Sequence, residues 1–168
     1  MPMPEHLKRY AVEKILKTFF KLPSQYHLPV SVLRRSMAIA TKNFPIHQDV
    51  KITKVKLAGF DANRHAWNTI SPSEQVILHI HGGAFFLGSP DTHKSLASQI
   101  AVQTGAVVYV LDYPLSPESL CPSAVNSVKA AYMELIKQGN DAKNIIISGD
   151  SCGGNLALAT IIALRDEN

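Results

Sequence analysis

The run Gly149-Asp150-Ser151-Cys152-Gly153-Gly154 is the part of the sequence with the clearest chemical meaning. Its Gly-x-Ser-x-Gly spacing lies between an apolar stretch that predicts a strand and another that predicts a helix. Glycine is needed two residues before and after the serine, because side chains there would collide in so tight a turn. The turn would lift Ser151 to a helix N-terminus, where N–H groups and the helix dipole favour negative charge. The pattern therefore predicts that Ser151 is a nucleophile.

Other interpretations of this run are weaker. A phosphate-binding loop would require the lysine of a P-loop or a GxGxxG run, and neither is present. The Gly-Asp-Ser-Gly-Gly run of trypsin-like proteases belongs to an all-β, cysteine-rich fold in which no long helix follows the serine. Cys152 is a rival nucleophile, but the turn aims only its middle residue, Ser151, away from the backbone.

A second chemical signal is the run His81-Gly82-Gly83-Ala84-Phe85, which follows a predicted strand. Consecutive glycines allow the backbone to turn its N–H groups into a cavity. Such donors stabilise the negative charge that develops on a carbonyl oxygen during acyl transfer, and the loss of one typically costs about 10²–10³ in rate. We therefore assign an oxyanion hole to the N–H groups of Gly82, Gly83 and Cys152. The alternative is a flexible glycine loop without a chemical role.

The elements that position these runs follow from hydrophobic periodicity. Three short, nearly continuous apolar runs predict buried strands: Val76–Ile80, Ala106–Leu111 and Asn144–Ser148. Three longer runs predict helices, the first closed by Gly105: Leu96–Thr104, Pro122–Gln138 and Gly153–Arg165. The last of them is apolar all round, which predicts a helix buried among neighbours. Strands and helices alternate, so the fold class is α/β, with a parallel sheet covered on both faces.

The chain before residue 76 has a different organisation. Alternation around Ile52–Leu57 predicts a strand with one solvated face, followed by a turn at Asp61-Ala62-Asn63 and a possible strand at His65–Ile70. Helical spacing predicts two amphipathic helices further upstream, one around Val12–Phe19 and one around Leu33–Phe44. We divide the chain into a helical segment, 1–45, and a core segment, 46–168.

Composition excludes several classes of protein. The 168 residues are 46% hydrophobic and 18% charged, which suits one globular domain. No apolar run approaches the ~20 residues that span a bilayer, and no signal peptide is recognisable. Two cysteines are too few for a disulfide scaffold or a Cys-based zinc site, so a cytoplasmic location is expected. Residues 1–56 carry a net charge of +8, which we interpret as a solvated helical face. We expect no nucleic-acid partner and no stable membrane anchor.

Three segments together resemble one known family. His-Gly-Gly-Ala-Phe-Phe-Leu-Gly-Ser-Pro-Asp-Thr-His (81–93), Asp-Tyr-Pro-Leu-Ser-Pro-Glu (112–118) and Gly-Asp-Ser-Cys-Gly-Gly-Asn-Leu-Ala (149–157) look like the hormone-sensitive-lipase family of α/β-hydrolases. The resemblance implies a mostly parallel α/β-hydrolase sheet under an N-terminal helical cap. It implies a carboxylesterase that cleaves short-chain acyl esters without a metal or organic cofactor. The site residues that it implies are Ser151 as nucleophile, Gly82, Gly83 and Cys152 as oxyanion donors, His81 as support for the oxyanion loop, and Phe85 and Phe86 as the lining of an acyl pocket.

The sequence departs from the family pattern at three places. Cys152 stands where the family usually has alanine, and Pro114 stands where it usually has arginine. The family places an Asp and then a His after the serine, whereas the seventeen residues after Ser151 contain no histidine. We therefore expect this chain to be the N-terminal part of a longer hydrolase, with a complementary C-terminal half supplying the Asp and the His. The strand Asn144–Ser148 would then form an apolar sheet edge.

Four polar residues near these motifs receive other roles. We expect His79 to be a buried core residue and His93 to be structural or to line the pocket. Asp150 should face away from the neighbouring serine and is not the acid of a triad. His81 could act as the general base only with a different geometry, so we assign it to the loop.

Two functions in different classes remain open. One is a serine esterase acting on a small acyl ester, although a thioesterase, amidase or peptidase could use the same turn. The other is a catalytically incomplete hydrolase that serves as a binding module through its apolar edge. Ester turnover that depends on Ser151 would discriminate between them.

Overall fold

The computed structural model describes residues 28–68 and 74–167, together with Pro4, Leu7, Arg9, Tyr10, Glu13 and Lys14. The chain divides into two compact units, Met1–Ser36 and Met37–Asn168. The predicted helix around Val12–Phe19 falls largely outside the described residues. The second upstream helix is present as α1, Val30–Thr41, which is three residues shorter than predicted at its C-terminal end. The division at residues 45 and 46 stays a prediction.

Five strands form one sheet in the second unit, with the spatial order β1-β2-β4-β3-β5. The strands β3, β4 and β5 run parallel to one another, whereas the β1–β2 hairpin is antiparallel and joins β4 in the antiparallel sense. The parallel alternation of strands and helices that the sequence predicted from residue 76 onward is confirmed. The strand bounds are β1 Val50–Leu57, β2 Phe60–Trp67, β3 Val76–Ile80, β4 Val107–Leu111 and β5 Ile145–Gly149.

Helices cover both faces of this sheet, as its buried and mostly apolar central strands require. Their bounds are α2 Lys94–Thr104, α3 Ser123–Lys137 and α4 Cys152–Asp166. All five residues of β3 are buried. Leu78 and Ile80 pack on the side of α3 and α4, and Ile77 packs on the side of α2. Gly105 ends α2 in the left-handed conformation at φ 70°, as predicted.

The predicted turn at Asp61-Ala62-Asn63 is wrong, because these residues belong to β2. The chain reverses two residues earlier, at Ala58 and Gly59, which adopt φ values of 49° and 88°. Two consecutive residues with positive φ make a tight hairpin whose twist matches that of the flanking strands. Asp61 sits just beyond this hairpin loop, paired with Lys56.

The prediction that the last helix is buried all round is also wrong. One face of α4 packs into the core through Leu156 and Ala157, but Leu158, Ile161 and Ile162 are 65%, 48% and 50% exposed. The strand β5 is likewise only partly buried, and Ile146 is 48% exposed. In the sheet of the described residues β5 is an edge strand, as expected, and both β5 and α4 present exposed apolar residues.

Candidate active site

Ser151 occupies the turn between β5 and α4, which has the strand–turn–helix geometry that the sequence predicted. Its backbone has φ 52° and ψ −123°, a left-handed conformation that a non-glycine residue rarely adopts. A Cβ on Gly149 would overlap the backbone of Gly153, and a Cβ on Gly153 would overlap the carbonyl oxygen of Ile80, so neither position has room for a side chain. Ser151 is exposed. Its hydroxyl therefore faces solvent on a strained turn.

The first N–H groups of α4 differ in whether they have a hydrogen-bond partner. Gly153 donates to the carbonyl of Asp150 at 2.8 Å, and Gly154 donates to the carbonyl of Ser151 at 3.1 Å. The N–H of Cys152, the first residue of the helix, has no hydrogen-bond partner among the described residues. A free N–H at a helix N-terminus is suited to hold negative charge.

The glycine loop after β3 lies beside this turn because of the sheet register. Ile80, the last residue of β3, pairs with Gly149, the last residue of β5. Gly83 turns the loop at φ 132°, and Ala84 and Phe85 follow at 52° and 67°. The carbonyl of Gly83 accepts the N–H of Leu87 at 2.7 Å, which closes the turn. The N–H groups of Gly83 and Ala84 have no partner within the described part of the chain.

The assignment of the Gly82 N–H to the oxyanion hole requires a correction. Its N–H donates to Oδ1 of Asp150 at 2.9 Å, so in this structure it is not free to bind an oxyanion. A Cβ on Gly82 would overlap the same carboxylate. The sequence could not show this contact, because it joins two loops that are 68 positions apart. Gly83 and Cys152 remain the predicted oxyanion donors.

Asp150 faces the glycine loop and two imidazoles. Its Oδ1 lies 3.4 Å from Nε2 of His79 and 3.5 Å from Nε2 of His93. Burial raises the pKa of this carboxyl, but the contacts with His79, His93 and the Gly82 N–H outweigh that effect and hold the pKa below its usual range. Asp150 is therefore ionised at neutral pH. This group was missed as a functional feature, although His79 and His93 lie on either side of the glycine motif in the sequence.

His81 is fully buried under the glycine loop. Its Nδ1 lies 2.9 Å from the carbonyl oxygen of Gly82, and its ring stacks on Tyr113 at 4.3 Å. The hydroxyl of Tyr113 donates to the carbonyl of His81 at 2.8 Å. Burial lowers the pKa of His81 to about 4, so the ring is neutral at pH 7 and Nδ1 carries the proton. These contacts are consistent with the predicted supporting role and place the ring out of reach of solvent.

The side chain of Cys152 points into the interior. Its sulfur accepts the N–H of Phe85 at 3.2 Å and lies 3.8 Å from the Tyr113 hydroxyl. Cys152 is only 8% exposed, which does not suit a rival nucleophile.

An apolar cavity of about 260 Å³ borders the glycine loop and α4. Phe85, predicted to line an acyl pocket, is one of its walls, whereas Phe86 is half-buried and does not line it. The other principal walls are Leu120, Val125, Asn155, Leu156 and Ala159. The cavity therefore lies between the loop that follows β3, the segment 114–125 and the helix that follows Ser151.

Within residues 28–68 and 74–167, no imidazole is hydrogen-bonded to Ser151. Asp166, the one Asp that follows Ser151 in the sequence, is bound by its neighbour Arg165 through Nε at 2.9 Å and Nη2 at 2.7 Å. No group of three or more His, Cys, Asp or Glu among the described residues is arranged to hold a metal ion. None of the helices in that part of the chain is long and apolar enough to cross a membrane.

Comparison with known proteins gives a consistent assignment. Residues 77–168 match a protein family described as the alpha/beta hydrolase fold. The chain is 41% identical to an esterase of Acinetobacter venetianus over 95% of its own length and 52% of that protein. The chain thus spans about half the length of the curated relatives it matches.

Solved structures agree with the sequence relatives. A hormone-sensitive lipase from a metagenome library is 34% identical, with a TM-score of 0.83 over 93% of this chain and 52% of that one. The esterase EstE5, soaked with p-nitrophenyl butyrate, is 34% identical, with a TM-score of 0.86 over 99% of this chain and 54% of that one. The predicted α/β-hydrolase sheet is confirmed by this similarity.

Proposed function

The chain belongs to the α/β-hydrolase family, on its hormone-sensitive-lipase branch, and we propose that it carries the nucleophile and the oxyanion hole of a serine carboxylesterase. The observation that carries the proposal is the strained, exposed turn of Ser151 beside a glycine loop with unpaired N–H groups. Curated relatives named esterase and acetyl-hydrolase support ester hydrolysis.

The proposed reaction is acyl transfer to Ser151. The Ser151 hydroxyl loses its proton to a base and attacks the ester carbonyl, and the carbonyl oxygen becomes an oxyanion. The N–H groups of Gly83 and Cys152 donate to that oxyanion. Collapse of the tetrahedral intermediate expels the alcohol, and water then releases the acid from the acyl-enzyme. No metal or organic cofactor is required by these steps.

We assign the acyl chain to the cavity walled by Phe85, Leu156 and Ala159. Its volume of about 260 Å³ and its apolar walls suit a chain of a few carbons. The resulting substrate class is a small ester with a short acyl group. Phe86 stays a predicted substrate contact only.

The base must come from outside the described residues. A serine hydroxyl is a poor nucleophile without an adjacent base, and no histidine follows Ser151 in the sequence. We propose that a complementary C-terminal segment, carrying an Asp and a His, docks against β5. The exposed apolar edge at Ile146 and the relatives of about twice this length support that partner. Two free cysteines, one of them exposed, favour a reducing cytoplasm.

The apolar surface on β5 and α4 also favours a second candidate, a binding module without catalysis. Ile146, Leu158 and Ile162 are each about half or more exposed. A chain that only binds a partner through this surface would need neither an exposed serine nor free loop N–H groups.

The deciding experiment measures hydrolysis of p-nitrophenyl butyrate. We would assay the chain alone and the chain co-expressed with the C-terminal half of the Acinetobacter venetianus esterase. We expect turnover in the co-expressed preparation and a loss of about 10³-fold or more in Ser151→Ala. Ser95→Ala is the matched control, because its hydroxyl binds the Pro45 carbonyl far from this turn. Full activity of Ser151→Ala, or no turnover in either preparation, would overturn the proposal and leave the binding module.

A further inference from the structure

We infer that the two residues flanking Ser151, Asp150 and Cys152, are positioning residues that clamp the glycine loop at both ends. Asp150 holds the N–H of Gly82, and Cys152 holds the N–H of Phe85. This inference rests on the proposed esterase function and adds residues to it. It gives the side chains on either side of the nucleophile a defined task.

The clamp leaves the middle of the loop free. The anchors hold the first and last of four consecutive residues, 82 to 85, and only these outer two N–H groups have partners among the described residues. The inner two, on Gly83 and Ala84, are unpaired. A loop held at its ends with free donors between them is preorganised for an oxyanion, because nothing has to break when charge develops.

The Asp150 anchor depends on charge. Its carboxylate lies within ion-pair distance of His79 on β3 and His93 before α2. His81 and Tyr113, the other titratable groups near it, stack against each other under the loop. A carboxylate accepts an N–H hydrogen bond more strongly than a neutral amide does. The two histidines therefore hold Asp150 in the position and charge state that fix Gly82.

The Cys152 anchor holds the strained side of the loop. Ala84 and Phe85 both have positive φ, a conformation that persists only when the surroundings enforce it. The Phe85 N–H donates to the Cys152 sulfur, and the Phe85 carbonyl accepts the N–H of Ser116 at 2.9 Å. Alanine, the usual residue of the family at this position, has no acceptor atom. The thiol of Cys152 thus supplies a hydrogen bond to the loop that an alanine at this position would lack.

The first test needs no variant and no activity. Amide hydrogen exchange of the 168-residue chain, read by NMR, should show the N–H groups of Gly82 and Phe85 exchanging about a hundredfold more slowly than those of Gly83 and Ala84. Four amides that exchange at similar rates would overturn the clamp whatever the enzyme does. Failure of Ser151→Ala to abolish turnover would, in contrast, overturn only the esterase proposal.

The second test uses variants of the active preparation. We expect Asp150→Asn and Cys152→Ala each to lower kcat about 10-fold or more with KM within about twofold, because only the transition state carries the oxyanion. Cys152→Ser should recover most of the loss, since a hydroxyl oxygen can accept the Phe85 N–H. Asp141→Asn is the control and should leave kcat unchanged, because the Asp141 carboxylate pairs with Lys143 and lines no part of the acyl cavity. Faster exchange at Gly82 and Phe85 with an unchanged kcat would show that the contacts position nothing, and the inference would fail.

Discussion

Ile80 and Gly149 pair in register at the ends of the adjacent parallel strands β3 and β5. The loop after β3 and the turn after β5 therefore leave the same edge of the sheet at the same level. Carboxyl ends of parallel strands are where open α/β sheets place their binding sites. This one register brings the glycine loop and the serine turn together, and the side chains of Asp150 and Cys152 then bind the loop.

At the same carboxyl ends of the strands there is no room for a side chain on Gly153. A Cβ there would overlap the carbonyl oxygen of Ile80, whereas a Cβ on the next residue, Gly154, would lie 3.3 Å from the carbonyl oxygen of Gly149. We expect Gly153→Ala to lower the free energy of unfolding by about 3 kcal/mol or more, because backbone has to move. Gly154→Ala should change it by less than about 1 kcal/mol, since helix propensity offsets the tighter contact. Urea unfolding followed by circular dichroism measures both, and equal effects would contradict this account.

Local pattern was sufficient for most of the sheet. The strand Val76–Ile80 has the predicted bounds, and Gly105 ends its helix as predicted, because these features depend on residues that are neighbours in sequence. The predicted position of the hairpin turn was wrong for a local reason. Asp61-Ala62-Asn63 has turn-forming residues, but the two positive φ values belong to Ala58 and Gly59.

The misassignments in the site arose from contacts that no local pattern encodes. The position of Ser151 on a tight turn could be predicted from Gly149 and Gly153 on either side of it. The partner of Gly82 did not, since its N–H reaches a carboxylate on another loop. The uniformly apolar α4 predicted burial, but Leu158 and Ile161 have nothing over them in the described part of the chain. Hydrophobicity identifies a surface to be covered and does not identify what covers it.

Two buried histidines make stability depend on pH. Burial is the largest cause that lowers the pKa of both His65 and His81, in each case to about 4. Between pH 6.5 and 4 the unfolded chain binds protons that the folded chain does not, so the free energy of unfolding decreases as pH falls. The loss approaches about 3 kcal/mol per histidine at pH 4.

His65→Leu isolates one of these contributions. Both ring nitrogens of His65 are buried and have no hydrogen-bond partner among the described residues, so leucine should be tolerated at pH 7. We expect the variant to lose roughly half of the pH dependence in urea unfolding at pH 7, 5 and 4. A variant with the slope of the original chain would contradict the assignment.

The cavity beside Phe85 should set the acyl length that is accepted. Ala159→Leu adds three carbons to a wall of a cavity of about 260 Å³. We expect kcat/KM for p-nitrophenyl butyrate to fall about 10-fold relative to the acetate ester, because methylenes excluded from a pocket cost about that much. Ala163→Leu, one turn further along α4 and outside the cavity walls, is the control. If the ratio of kcat/KM for the butyrate and acetate esters did not change, the acyl chain would not occupy this cavity.

The uncovered edge of β5 should drive self-association of the isolated chain. An edge strand offers unpaired backbone groups to other chains, and here Ile146 adds exposed apolar surface. We expect Ile146→Lys to shift the chain toward monomer in light scattering over a concentration series, because a charge on an edge opposes pairing. Met133→Lys on α3 adds the same charge at a residue that is 51% exposed and off this edge, so it should not have this effect. Equal effects of the two lysines would mean that net charge governs association. A selective effect of Ile146→Lys, together with weaker binding of the C-terminal half used in the esterase assay, would identify this edge as the surface that the complementary segment covers.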